Sequence, residues 1–562
     1  MNHEKAGGYI SRITFNNGES LDISRDDIVI FVGPNNAGKS QSLKDIYTLS
    51  EQKMPTTVIS DINITKNNLP ISATLEKLSE GEHRGGFTTY IVLNHRMHIY
   101  NSTDESFLSE QYYGEYRALF VANLDTAARL TICNPPDSIP RNASKQHPIH
   151  YAAFDGKYRK WLSDSFKKAF GIEVTPNTQY GSQIPLCIGE PVQLTGQYKD
   201  EQDRQEAYAR ILDTYKQVQN QGDGIKSFTG ILLYLMLDYY CTYLIDEPES
   251  FLHPPQARIM GQIIGQTLAD QQQAFISTHS EEIIKGLLEA CPNRIKIIRI
   301  TREGDTNSFS VLNNQEFRQV WNDPILRYSN IMASLFHKTV VLCESDSDCK
   351  MYSIIESHIK QRQGKYSETL FIHCGGKHRM AKIVKALRSL NVNTKLITDI
   401  DVLNDETVFQ GIVESYGIDY DAIRTDYKNI VSNLHSDKEK INRIAAKSAI
   451  SQIMDNGKSA ELSKNELKQI RDVISTTSIW SKLKSSGVSA LPSGNATASF
   501  KHMEQVLQGN GIYIVPVGEL ECFVREVGGH GPEWANTVLE RYPNLDDAVY
   551  HRITEFIESM KL

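Results

Sequence analysis

The sequence predicts an α/β protein in two segments, each interrupted by an insertion. Three observations carry this. Apolar runs of strand length alternate with stretches of helical period near both ends of the chain. Polar stretches of different character break that alternation once in each half. At 562 residues, 40% hydrophobic and 23% charged, the chain is long enough for two to four domains at roughly 150 residues each.

Taken in order, DIVIFV reads as a buried strand, GPNNAGKS as a glycine-rich loop, and the following residues as a helix, because Leu43, Ile46 and Tyr47 fall at i, i+3, i+4 spacing. Residues 111–221 look mixed, with the loop NPPDSIPRNASKQHP and the charged stretch KDEQDRQEAYARILDTYKQV, and read as an insertion. The pattern then sharpens: GILLYLMLDYY as a buried helix, CTYLID as a strand, PPQARIMGQIIGQTLA as a helix, and QAFIST and RIKIIRIT as strands. Strands alternating with helices imply a largely parallel sheet covered on both faces. A second α/β segment, residues 336–562, has strands in TVVLCE, ETLFIHC, TKLITDID and GIYIVPV, with a polar helical insertion at about 405–484.

Charge and composition exclude several classes. The formal net charge is −8, from 60 basic and 68 acidic residues, which argues against a surface coated with nucleic acid but allows a local basic channel. No apolar run reaches the roughly 18 residues of a membrane span. The opening MNHEKAGGYI lacks the basic and then apolar blocks of a signal peptide, so a cytoplasmic location is expected, without membrane contact. The eight cysteines form no CxxC pair, and reduced thiols are expected.

GPNNAGKS fits G-x-x-x-x-G-K-[ST], with strand before and helix after. Its residues Gly33, Pro34, Asn35, Asn36, Ala37, Gly38, Lys39 and Ser40 are candidates to hold ATP. The glycines let backbone N–H groups turn toward phosphates, Lys39 reaches the β- and γ-phosphates, and Ser40 offers a hydroxyl to Mg2+. LIDEPESFLHP places Asp246 at a strand tip, where a carboxylate holds the same Mg2+, and Glu247 next to it, where it polarises the attacking water. STHSEE ends another strand and puts His279 near the γ-phosphate.

The C-terminal segment bears acids in spaced pairs. Glu344 ends one strand and Asp348 follows four residues later, a spacing that on a helical turn shares one face. Asp399 and Asp401 lie at the tip of a second strand, where alternation points both to one side. Glu519 and Glu521 lie at a third tip. Six gathered carboxylates repel and raise one another's pKa unless cations sit among them. Hard oxygen ligands suit Mg2+, with Mn2+ the alternative ion, and two ions about 4 Å apart activate water and stabilise the leaving oxygen of a phosphodiester. GGKHRMAKIVKALRSL adds an amphipathic basic helix with Lys377, Arg379, Lys382, Lys385 and Arg388, suited to phosphate contact without base specificity.

DEPE with LHP, then a strand ending in STHS, resembles the ATPase heads of the ABC/SMC/RecF class. The resemblance implies a head formed by residues 1–110 and 222–330 around the insertion, which is a candidate for dimerisation. It also implies nucleotide contact by Gln41 and assembly through paired heads, as a dimer or tetramer. There is no LSGGQ signature; GDGIKSF, residues 222–228, is the nearest stand-in, with its glycines and Ser227 capping a partner head's γ-phosphate. The acidic trio, with HCGGKHR between its first two members, resembles a Toprim domain. A head followed by Toprim resembles the OLD (overcoming lysogenisation defect) family of ATPase–nucleases. That resemblance implies ATP binding and hydrolysis, metal-dependent DNA cutting or nicking by Glu344 and Asp399, a role in antiphage defence of the retron or Gabija kind, and neighbouring-gene partners such as a reverse transcriptase with its DNA or a helicase. One departure stands out: such nucleases carry a basic residue near the last acidic motif, and here Arg525, Lys482, Lys484 and Lys561 leave its identity open. An ATP-gated scaffold with a weak or inactive Toprim site is the alternative expectation.

Overall fold

The computed structural model describes residues 6–79, 81–84, 87–92, 95–100, 102–190, 192, 194, 197–237, 240–269, 271–304, 306–312, 323, 331–436, 443–455, 461–474 and 479–562. Several expectations fall outside these residues: Asp238 and Tyr239 of GILLYLMLDYY, most of 313–330 at the end of the expected head, and 437–442, 456–460 and 475–478 of the second insertion. The chain divides into two compact units, Met1–Asn314 and Gln315–Leu562.

The N-terminal unit is organised by a six-stranded sheet in the order Thr306–Val311, Ile295–Glu303, Ile28–Val32, Gln273–Ser277, Thr242–Asp246, Val121–Leu124. Neighbours are parallel except at the Thr306–Val311 edge. The strands Ile28–Val32 and Gln273–Ser277 are buried at every position, which is why they are nearly unbroken apolar runs: both faces are covered, one of them in part by the antiparallel strands Gly8–Phe15 and Ile59–Lys66. The helix Lys39–Glu51 follows the first of these strands, and Pro254–Thr267 connects Thr242–Asp246 to Gln273–Ser277. Three-stranded antiparallel sheets accompany the main one.

One boundary is corrected here. Val121–Leu124, expected within the 111–221 insertion, is the edge strand of the main sheet, paired with Thr242–Asp246. A four-residue strand is too short to show a period, so its sequence carried no signal.

The C-terminal unit has a four-stranded parallel sheet, ordered Thr369–His373, Thr339–Cys343, Asn393–Thr398, Ile512–Ile514. These are the four strands the sequence predicts. The polar stretch between the last two is mostly helical where described, including Glu406–Ser415, Asp421–Ser436 and Ile479–Ser486. Parallel strands expose their carboxyl ends together at one edge of the sheet, and every acid of the trio lies just beyond such an end.

Candidate active sites

In the N-terminal unit the loop between Ile28–Val32 and Lys39–Glu51 has the shape phosphate binding needs. Gly33 has φ 144° and its missing Cβ would lie 2.0 Å from the Ile300 carbonyl, so only glycine fits there. Lys39 is 4% exposed, and its Nζ donates to the Gly33 and Pro34 carbonyls at 2.9 and 2.7 Å. Burial pulls its pKa down to about 8, against the opposing pull of Glu247, Glu249 and Asp246. Asn35 and Asn36 are exposed at the loop tip and Ser40 is half-buried.

The register of Thr242–Asp246 on Gln273–Ser277 brings the remaining groups together. Asp246 is directly opposite Ser277 and is hydrogen-bonded to its hydroxyl. Glu247, in the left-handed region at φ 46°, lies with its Oε1 3.8 Å from His279 Nε2. Burial and the nearby Lys39 lower the His279 pKa, favouring a neutral imidazole. Glu249 accepts the His279 N–H at 2.7 Å and is itself raised in pKa by burial. Sequence reasoning missed Glu249, although it is the third acid of DEPE.

Sequence reasoning also missed Arg129, which is wholly buried. Its guanidinium donates to the carbonyls of Asp246 and Glu247 at 2.6 and 3.1 Å. It therefore holds the backbone that carries both acids. No motif marks it, because it sits in a short helix, Thr126–Thr131, expected to be part of the insertion.

Two expected contacts take other roles. Gln41 donates to Asp45 at 2.7 Å, and Asp45 accepts the N–H groups of Val58 and Ile59, so Gln41 is directed along its own helix. Ser227 is fully buried within the helix Asp223–Leu235 and cannot cap a phosphate on a partner head. The helical period, invisible in a seven-residue motif, turns it inward.

In the C-terminal unit Glu344, Asp399 and Asp401 converge, with one carboxylate oxygen of each within 4.8 Å of the others. The route differs from the one the spacing predicts. Glu344 follows its strand directly, but Asp399 and Asp401 begin a 3-10 turn, Ile400–Asn404, rather than alternating along a strand. Asp348 does not share a helical face with Glu344, because the helix starts at Asp346. Its carboxylate instead accepts the Ser345 N–H at 2.8 Å, closing a capping box. Asp348 still faces the site closely enough to help raise the Asp399 pKa.

Glu519 and Glu521 form a second group with His530, again with one ligand atom of each within 4.8 Å of the others. The histidine was not anticipated. Its signal was the flexible GGHG stretch after the last acidic pair.

Two lysines answer this negative charge. Lys484 Nζ lies 3.2 Å from Glu519, 3.8 Å from Asp399 and 3.9 Å from Asp401. Its helix, Ile479–Ser486, reaches the acids because Gly518, at φ 112°, leaves room: a Cβ there would lie 1.9 Å from the Lys484 carbonyl. Burial alone would lower the Lys484 pKa, but the three carboxylates raise it overall. Lys377, from the HCGGKHR segment, lies 3.3 Å from the Asp401 carboxylate and donates to its carbonyl at 3.2 Å.

The acids remain under-neutralised. Glu344 is raised in pKa by burial and then by Asp401; Asp399 is raised well above the carboxylate range by burial, Asp348 and Glu344. Glu344 Oε2 is buried without a hydrogen-bond partner. An orphaned carboxylate oxygen among converging acids is the environment a hard divalent cation fits.

Residues 335–401 match the domain model described as "Overcoming lysogenization defect protein-like, TOPRIM domain". Residues 136–285 match that described as "AAA domain, putative AbiEii toxin, Type IV TA system". The chain joins an AAA-type ATPase domain to an OLD-like Toprim domain. Asp246, Glu247 and His279 lie within the matched ATPase stretch; Glu344, Asp348, Asp399 and Asp401 lie within the matched Toprim stretch. The chain is 21% identical over 324 residues to the Old nuclease of Escherichia phage P2. The match covers 54% of this chain and spans about half, 49%, of that curated relative. Among solved structures, an Smc head bound to the C-winged helix domain of ScpA aligns at 12% identity and TM-score 0.33, covering 56% of this chain and 98% of that one. The SMC head domain from Thermotoga maritima aligns at 13% identity and TM-score 0.29, covering 55% and 98%. Among the described residues no helix of the ATPase or Toprim domain is long and apolar enough to cross a membrane.

Proposed function

We propose that this protein binds and hydrolyses ATP and uses its Toprim domain as a divalent-metal-dependent DNA endonuclease or nickase, in antiphage defence. The observation that carries the reading is the convergence of Glu344, Asp399 and Asp401 with Lys484 lying against two of them and Glu519. A bound Mg2+ or Mn2+ supplies Lewis acidity and lowers the pKa of a water at the scissile phosphodiester. Glu344, Asp399 and Asp401 would hold it, and Glu519 and Glu521, gathered in a second group, would hold another. Lys377 orients Asp401. Lys484 offsets the charge that develops on the phosphate oxygens, the role the sequence left open. The scaffold alternative drew its support from that missing basic group, so Lys484 favours the nuclease.

In the ATPase domain the loop N–H groups and Lys39 hold the phosphates, and Ser40 and Asp246 hold their Mg2+. Glu247 orients the attacking water. A neutral His279 accepts or donates a hydrogen bond beside the γ-phosphate. Heads pair around nucleotide, giving a dimer or tetramer on DNA, with a neighbouring-gene partner supplying the trigger. The test is supercoiled plasmid with Mg2+ or Mn2+: the parent nicks or cuts it, and Glu344→Ala and Asp399→Ala do not. Cutting that survives both substitutions refutes the assignment. The Lys39→Ala variant, assayed with and without ATP, reports whether nucleotide drives or restrains cutting.

A further inference from the structure

His530 stands where an oxygen-only reading of this site has no use for it. It lies in the stretch Gly528-Gly529-His530-Gly531, directly before the helix Gly531–Arg541. The backbone is left-handed at Gly529 and Gly531, φ 105° and 66°, so the chain doubles back toward the acids. The Gly531 N–H donates to Glu521 Oε1 at 2.8 Å, fixing the loop against that carboxylate. His530 Nδ1 then lies 3.7 Å from Glu521 Oε1 and 4.0 Å from Glu519 Oε1.

Those separations are too long for hydrogen bonds. They match the edges of a coordination shell, in which ligands about 2.2 Å from one ion stand between 3 and 4 Å apart. Glu519 is divided in the same sense: its Oε2 faces Lys484, and its Oε1 faces His530. The other cluster, Glu344 with Asp399 and Asp401, offers oxygen alone.

We infer that His530 is a nitrogen ligand, with Glu519 and Glu521, to the second of two metal ions in the Toprim site, making that position selective for a transition ion such as Mn2+ over Mg2+. The inference rests on the nuclease reading and adds a chemical asymmetry to it. Imidazole suits borderline transition ions, whereas Mg2+ is held by carboxylate, carbonyl and water. One position takes Mg2+ or Mn2+ through oxygen, and the other discriminates. His530 is exposed, 77% of its side chain, so its replacement leaves the core intact.

The test uses full-length, nucleotide-free protein with Mn2+ alone as the probe, read by electron spin-echo envelope modulation. Nitrogen-14 modulation of the directly bound imidazole kind is expected in the parent and in His279→Gln, and is lost in His530→Gln. By titration, His530→Gln should weaken Mn2+ at one site by on the order of tenfold or more, with a smaller change for Mg2+. A parent that binds Mn2+ at the carboxylates without nitrogen modulation overturns the histidine ligand and leaves the nuclease reading standing, as does modulation that persists in His530→Gln. A parent whose Mn2+ binding is untouched by Asp399→Asn overturns both.

Discussion

Lys484 Nζ lies 3.2 Å from Glu519 Oε2, joining the end of the helical insertion to the last acidic motif. It also lies within 4 Å of Asp399 and Asp401, so one ammonium touches acids from two strand ends. Replacing Lys484 with alanine should lower the cutting rate by about 10²–10³-fold, the usual loss for one preorganised charge-stabilising group. Mn2+ binding should be retained or tightened, because a competing cation is removed. Equal losses of rate and metal affinity would assign Lys484 a structural role instead.

Arg129 donates to the carbonyls of Asp246 and Glu247 from within the core. It touches no substrate group, so it acts by position. Both bonds come from Nη1, and Arg129→Met fills much of the same space while removing them. Its kcat for ATP should fall by about 10²-fold, the order expected for a small displacement of a reacting geometry. The KM for ATP should change little, since Lys39 and the loop are untouched. A large KM effect with normal kcat would contradict the positioning role.

Glu247 and His279 should separate binding from hydrolysis. Glu247→Gln should bind ATP at parental affinity and turn it over about 10²–10⁴-fold more slowly. Filter binding beside a phosphate-release assay distinguishes this from loss of the nucleotide site.

A pH effect on stability is expected from the insertion in the ATPase domain. His147 accepts the Ile149 N–H through Nδ1 at 3.2 Å at the start of the helix Pro148–Phe154, and burial, helped by His150, lowers its pKa to about 4. The unfolded chain takes up this proton near pH 6.5 and the native chain only near pH 4. Between those values the unfolded state binds more protons, so stability is present above pH 6.5 and lost as pH falls toward 4. His147→Asn keeps an acceptor without the titration. Its Tm by calorimetry should fall less over this range than the parent's; parallel curves would contradict the assignment.

The two constellations were legible because their chemistry is local in sequence. A phosphate loop is one strand, one turn and one helix, and its partners Asp246 and His279 end neighbouring strands of the same sheet. The four Toprim strands were legible as apolar runs for the same reason. What failed depended on orientation or on distance along the chain. Ser227 looked available until the helix turned it inward, Gln41 found Asp45, and Asp348 found Ser345 through a cap that outcompetes the face-sharing read from its spacing. Lys484 reaches the acids through a close backbone approach at Gly518, and His530 through a loop with positive φ at Gly529 and Gly531, which no periodicity encodes. Arg129 is a buried charge held against two backbone carbonyls, and carbonyls leave no trace in a sequence.

The central claim is that the strand-end acids of the Toprim domain share divalent ions. The most direct measurement is calorimetric titration of nucleotide-free protein with Mn2+, parent beside Asp399→Asn. The account predicts saturable binding to the parent and a loss of at least one site, or a weakening of about 10-fold or more, in the variant. Identical titrations for the two proteins would contradict it.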